Sequence, residues 1–384
     1  MTWKPPSAAR FCWGASMRME ELFELARQLG AERRGVVTAA QLRLAGADPD
    51  TVKAARRRHW QTPVRGIYVP HRRELSAPEL AHVAVAHAGP GSVVTGLVAA
   101  RALQMRWVPE LVGVMVLVAP HLRRRGSEGL VLVRRCTALP GLVTSTWEGV
   151  LLAPPARIVA DACHQVLAVR AAELGERPSR MRRSRHDARC LREIRGLVLG
   201  AVADGHCSAQ ELLAVVDDGP MRGSALVRRA CHDALRGAAS PPEAELVDGL
   251  LAYGVPFYCN VELWDGDVLV AVLDVYLAGT GVGGEMDSKE VHAAADLLDL
   301  TLLRHGRVER YGVKLCHVTP SRYRANPVAF HEELFEAVLA RQAGALGDPV
   351  GLRLVPRGPL LCGPRRGRPP YRPTLGPDTR KAAA

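Results

Sequence analysis

Residues 268–292 read VLVAVLDVYLAGTGVGGEMDSKEVH, and the carboxylates set into that apolar stretch decide the architecture. Val268–Leu277 is an apolar run of strand length, rich in β-branched residues and broken by one charge, Asp274. A Gly-rich connection leads to Val282–Met286, a second short strand, with Glu285 and Asp287 two residues apart at its end. That spacing puts both carboxylates on one face of a strand. With the two strands paired as neighbours, Asp274 meets Glu285 across the ladder. Lys289, Glu290 and His292 follow within the next turn of chain.

A buried strand end collects carboxylates only where a cation or a catalytic task meets them. Two or three converging carboxylates make a hard oxygen site suited to Mg²⁺ or Mn²⁺. Such an ion polarises a phosphodiester and lowers the pKa of its bound water, and His292 is placed to position water or protonate a leaving oxygen. An ordinary structural reading stands beside this one. Asp274 can pair with an arginine, Glu243 in SPPEAEL can serve only as a helix N-terminal charge, and His292 can be a surface histidine.

Outward from this stretch, the chain alternates. A helix over Pro242–Tyr253 precedes the two strands, and a helix over about Glu290–Arg304, a strand over Gly312–Val318 and a helix over Pro327–Gln342 follow. This is the pattern of a small α/β domain with a mixed sheet, spanning 240–346. At the other end of the chain, MEELFELARQLG carries one apolar helical face. In VVTAAQLRLAG, Thr38 and Gln41 make a capping-box pair, and Gly46 stops the helix. DPDTVKAARRRHW opens with Asp48 as N-cap and Pro49 at the first helical position. It exposes Lys53, Arg56, Arg57 and Arg58. QTPVRGIYVP follows as two short strands about Arg65-Gly66. These elements read as a winged helix-turn-helix over 19–74, whose basic residues are candidates for DNA contact.

The regions between and beyond are an α/β middle region over 75–170, a basic linker with helices over 171–239 and a basic Pro/Gly-rich tail over 347–384, expected to be disordered. Residues 1–18 read as a disordered leader. In PPARIVADAC, Arg157 and Asp161 form an i,i+4 pair with a structural role. RPSRMRRSRHDAR holds six arginines and one acid. The tail contains Arg366-Gly367-Arg368-Pro369, a short match to minor-groove hooks, where Arg366 and Arg368 would follow the negative potential of a narrow groove.

The bulk properties agree with that organisation. The chain has 384 residues, too many for one core, so the expected fold class is α+β multidomain. Lys and Arg number 51 against 39 Asp and Glu, a net charge of +12, which points to a polyanionic partner, nucleic acid first. The longest apolar segment, Val112–Ala119, fits a buried strand and is too short to span a bilayer. Nine cysteines without a CxxC or CxxH pair argue against a zinc site and fit reduced thiols in a cytoplasmic protein.

Four segments together carry a resemblance: SPPEAELVDGLLAYGVPFYCNVEL, LDVYL, GEMDSKEVH and LLRHGRVERYGVKLCHVTPSRYRANP. They resemble a C-terminal domain of actinobacterial proteins that is similar to the very-short-patch-repair (Vsr-like) branch of the PD-(D/E)XK endonuclease superfamily. The resemblance implies a restriction-endonuclease-like fold with catalytic Glu243, Asp274, Glu285, Asp287 and His292. It also implies a Mg²⁺ or Mn²⁺ ion on Asp274 and Glu285 if the domain is active, and none otherwise. One departure bears on catalysis: Asp287 stands where most of the superfamily has lysine, and the nearest lysine is Lys289. GVVTAAQLRLAG, RGIYVP and PPARIVADAC resemble the winged-helix antitoxins of the AbiEi type, which implies sequence-specific DNA contact and a cognate toxin as partner. Two functions remain open at this point. One is a metal-dependent endonuclease on DNA. The other is a transcriptional regulator or AbiEi-type antitoxin whose nuclease-like domain is catalytically silent.

Overall fold

The computed structural model describes residues 17–110, 113–127, 129–137, 139, 142, 145–175, 179–219, 223–287, 306–342 and 351–363. The chain is an α+β multidomain protein that divides into two units, 1–173 and 174–384.

The first unit begins with α1 (Met19–Leu29), β1 (Val37–Thr38), α2 (Ala39–Leu44), α3 (Pro49–Arg58), β2 (Gln61–Val64) and β3 (Ile67–Val69). The strands form a small sheet in the order β1-β3-β2. Local chemistry sets each boundary. The Thr38 hydroxyl accepts from Gln41 N, and Gln41 Oε1 accepts from Thr38 N, closing the box that starts α2. Asp48 accepts from Thr51 N at 2.9 Å and starts α3. Leu22, Ala26, Leu42, Ala55, Trp60 and Tyr68 form the core between helices and sheet.

The same unit continues with α4 (Ala77–Ala88), β4 (Val93–Thr95), α5 (Gly96–Ala102), β5 (Val114–Val118), β6 (Val131–Arg135), β7 (Ser145–Trp147), β8 (Val150–Leu152) and α6 (Pro155–Leu174). The sheet order is β6-β5-β4-β8-β7, with β5 buried along its whole length. Asp161 on α6 is fully buried. It accepts from Arg157 Nε at 2.8 Å, from Thr95 Oγ1 at 2.9 Å and from Arg134 Nη1. The i,i+4 pair expected from the sequence is thus one arm of a network that ties α6 to β4 and β6.

The second unit opens with α7 (Arg180–Ala203), α8 (Ala209–Asp217), α9 (Ser224–Leu235) and α10 (Pro241–Leu251). Buried Arg195 on α7 ties it to α9 and α10, donating to Asp233 of α9 at 2.8 Å and to Asp248 of α10. A five-stranded mixed sheet follows: β9 (Phe257–Asp265), β10 (Val268–Leu277), β11 (Val282–Met286), β12 (Lys314–Val318) and β13 (Arg353–Pro356). Its order is β12-β11-β10-β9-β13. Only the β11–β12 pair is parallel. α11 (Pro320–Ala325) and α12 (Pro327–Gln342) complete the fold. Phe330, Leu334 and Val338 of α12 pack with Leu246 and Leu250 of α10 against Cys259, Val275 and Val282. Gly284 makes that fit: a Cβ there would lie 3.3 Å from both Phe330 and Leu334.

Two elements differ from the sequence expectation. Phe257–Asp265 carries strand alternation and forms the long strand β9, which the sequence reading leaves unassigned. Arg353–Pro356 falls in the tail expected to be disordered, yet it pairs with β9 as an edge strand. Arg353 stacks over Trp264 with 5.6 Å to the ring centroid, and Arg357 pairs with Glu262 at 2.8 Å. Covering the open edge of β9 satisfies backbone groups that a tail would leave to solvent.

On α12, His331 is buried between two tyrosines. Its Nε2 lies 3.0 Å from the Tyr323 hydroxyl and its Nδ1 lies 3.3 Å from the Tyr253 hydroxyl. Tyr323 itself donates to Glu245 O at 3.3 Å. Burial pushes His331 down to about 4, from an ordinary value near 6.5. The unfolded chain therefore binds this proton first as pH falls. The stability owed to neutral His331 is complete above pH 6.5 and is lost toward pH 4. It amounts to about 3 kcal/mol. Urea midpoints across that interval are expected to fall for the wild type and to flatten in His331→Phe.

Gly249 on α10 allows this packing. A Cβ there would overlap the Tyr323 hydroxyl and lie 2.7 Å from the His331 ring. Both rings are hydrogen-bonded and unable to withdraw cheaply, so Gly249→Ala is expected to destabilise the second unit by about 2 kcal/mol. Its urea midpoint provides the check.

Candidate metal centre

The site is built where the β10–β11 ladder ends. The pairing runs from Leu277↔Val282 through Tyr276↔Gly283 to Val275↔Gly284 and goes no further. At the next position Asp274 takes over, its Oδ2 accepting from Met286 N at 2.6 Å. A side-chain carboxylate thus stands in for the strand carbonyl. The cause lies on the other side of β10. Leu273↔Val261 and Val275↔Cys259 are paired, which leaves Asn260 facing Asp274, and Asn260 has a left-handed backbone with φ 51°. Across this irregularity the inward face changes. Leu273 packs in one core cluster with Leu315, and Val275 packs in the other with Phe330.

Beyond the end of that ladder, β11 and β12 stay paired in parallel, with Glu285 opposite His317 and Met286 opposite Val318. Asp287 N donates to Val318 O at 2.9 Å, which holds Asp287 against the β12 end. Asp287 Oδ2 lies 3.3 Å from His317 Nδ1. One donor atom from each of Glu285, Asp287 and His317 falls within 4.8 Å of the others. Glu285 is 4% exposed, while Asp287 and His317 are half-buried. The cluster is therefore open on one side and closed on the other, with two carboxylates and one imidazole as donors.

The residues predicted from sequence fall into three groups. Glu285 and Asp287 are brought together, and Asp274 stands at the neighbouring ladder position on the Met286 amide. The three-residue group does not include Asp274. Glu243 is not among the three residues. It accepts from Ala239 N and Asn260 Nδ2 through Oε2, and from Ser240 Oγ through Oε1, as the capping carboxylate of α10. Glu243 and Asp274 do share one neighbour. Burial pushes the Cys259 thiol well above its ordinary range, and these two carboxylates push it the same way. His292, Lys289 and Glu290 lie outside the described residues.

His317 is the member the sequence reading missed, although its segment KLCHV was recognised as a strand. The available signal was alternation: Cys316 and Val318 are buried in the core, so His317 faces the other side, where Glu285 also points. Register was the missing quantity, because no local feature states which residue of β12 lies beside Glu285.

In the first unit Lys53, Arg56, Arg57 and Arg58 are exposed on α3, and Arg65 is exposed at the β2–β3 turn. Arg56 stacks over Tyr68 with 5.2 Å to the ring centroid. Arg72 Nη2 donates to the Arg56 and Arg57 carbonyls at 2.7 and 2.9 Å, capping the C-terminus of α3 with positive charge. Arg366 and Arg368 lie outside the described residues. No described helix is long and apolar enough to cross a membrane.

No known protein family matches the chain, and no curated protein does. Among solved structures it is similar to the RV2827C protein from Mycobacterium tuberculosis, with 21% identity over 58% of this chain and 82% of that one. The TM-score is 0.33, too low to argue a shared fold.

Proposed function

We propose that the second unit is a metal-dependent nuclease-like domain acting on DNA, and that α3 of the first unit contacts the duplex as part of a winged helix. The observation that carries this reading is the convergence of Glu285, Asp287 and His317 donor atoms within 4.8 Å. It lies at a strand end whose backbone Asp274 fixes. Two carboxylate oxygens and one imidazole nitrogen suit a divalent ion of the Mn²⁺ or Mg²⁺ class. When bound, that ion supplies Lewis-acid polarisation of a phosphodiester and a water of lowered pKa. Glu285 and Asp287 would hold it through oxygen and His317 through nitrogen. Asp274 keeps β11 in the place from which both carboxylates project, and its own charge adds to the negative potential of the site. The net positive charge and the exposed arginines of α3 favour a polyanionic substrate.

The test is calorimetric titration of Mn²⁺ into the wild type and into Glu285→Gln. One ion per chain is expected in the wild type and none in the variant. Equal uptake by both, or none by the wild type, would sink the reading.

A second reading rests on Glu243, whose carboxylate serves as a cap of α10. In it the domain is a silent binding module of a regulator or of an AbiEi-type antitoxin with a toxin partner. It predicts operator binding that is identical with and without Mn²⁺ and unchanged in Glu285→Gln.

A further inference from the structure

α9 turns Arg228, Arg229, His232 and Arg236 toward a cavity of about 550 Å³, whose far wall is Asp248 and Leu251 of α10. At 100° per residue these four positions span about 100° of the helix circumference, so the sequence builds one basic face. Arg229 donates through Nη2 to Asp248 at 2.9 Å, and Arg236 donates through Nη1 to Asp233 at 3.4 Å. Arg228 pairs with Asp217 at 2.7 Å. With Arg195, four guanidinium groups share the carboxylates Asp217, Asp233 and Asp248 among the described residues. Each of Arg229 and Arg236 spends one nitrogen of its fork on a carboxylate, and the remaining donors suit the oxygens of a phosphate.

We propose that this cavity binds a backbone phosphate of a nucleic acid. Among the described residues no Phe, Tyr or Trp lines it, so it offers a base nothing to stack on, and phosphate is the group it recognises. The first turns of α7 in the same unit present exposed Arg180, Arg183 and Arg185, further positive charge for a polyanionic ligand. Basic residues at a helix N-terminus oppose the helix dipole, and a bound phosphate chain relieves that repulsion. The inference rests on the reading of the protein as DNA-binding but needs no metal.

The experiment uses the full chain in EDTA with a short fluorescein-labelled duplex, followed by anisotropy across a salt series. Arg229→Gln with Arg236→Gln leaves Asp233 and Asp248 both held by Arg195, so the fold is retained, as thermal melting will check. Affinity is expected to fall roughly tenfold, and the slope of log K against log salt to shrink by about two. The corresponding double lysine variant keeps the charge and should keep the slope. Unchanged affinity and slope in the glutamine variant overturn the proposal. Inorganic phosphate displacing the duplex at micromolar concentration would assign the cavity to free phosphate instead. Polyglutamate competing as well as DNA would assign it to an acidic protein; either outcome overturns the backbone assignment. If metal uptake fails while this binding survives, only the nuclease reading is lost.

Discussion

Asp274→Asn is expected to lower Mn²⁺-supported DNA cleavage by about a thousandfold, the scale of several kcal/mol of lost charge stabilisation, while leaving the melting temperature unchanged. The asparagine carbonyl can still accept from Met286 N, so the end of the β10–β11 ladder survives and only the negative charge disappears. Asp274→Ala removes both. It leaves the Met286 amide without its side-chain acceptor, and stability should drop by about 1–3 kcal/mol in addition to the loss of cleavage. The pair of variants separates the electrostatic part of Asp274 from its backbone part. Cleavage by Asp274→Asn at the wild-type rate would remove Asp274 from the chemistry. A drop in melting temperature equal to that of alanine would make its role structural.

Asp161→Ala should be the most destabilising single substitution in the first unit, by about 4 kcal/mol. The carboxylate is fully buried and receives Arg134, Arg157 and Thr95 from three elements. Its removal takes a buried counter-ion from both Arg134 and Arg157, which costs more than the ion pairs contribute when intact. Chemical denaturation of the full chain, followed by tryptophan fluorescence, should show unfolding shifted to lower urea. Asp161→Asn keeps the hydrogen-bond acceptor for Thr95 but loses the charge, so it should fall between wild type and alanine. An alanine variant as stable as the wild type would mean that the arginines reach solvent and that the network is incidental.

Much of the scaffold around both residues is written locally. The strands Val268–Leu277 and Val282–Met286 follow from apolar runs bounded by glycine, and both appear with those limits. The Thr38–Gln41 box and the Asp48 cap depend on residues three positions apart. Glu243 shows the limit of such reading. Its place at the start of a helix was legible, but the same signature, Ser240 with a carboxylate three residues on, describes both a capping group and a catalytic one. The third partner, Asn260, comes from a strand 17 residues away and ties Glu243 to the α10 N-terminus.

What the sequence by itself determined is an inventory: many of the strands and helices, which carboxylates interrupt apolar strands, and a net charge of +12. Those properties depend on side chains within a few positions of one another, where propensity, alternation and capping act. The tertiary structure alone decided the company each residue keeps. Glu285 and His317 are 32 positions apart and meet through a parallel ladder. Gly283 and Gly284 of that ladder lie close against Leu315 of β12 and against Phe330 and Leu334 of α12. The cavity on α9 likewise exists because Arg195 draws α9 and α10 to one buried guanidinium. Long-range register and helix packing are collective minima of the whole core, so no window of sequence contains them.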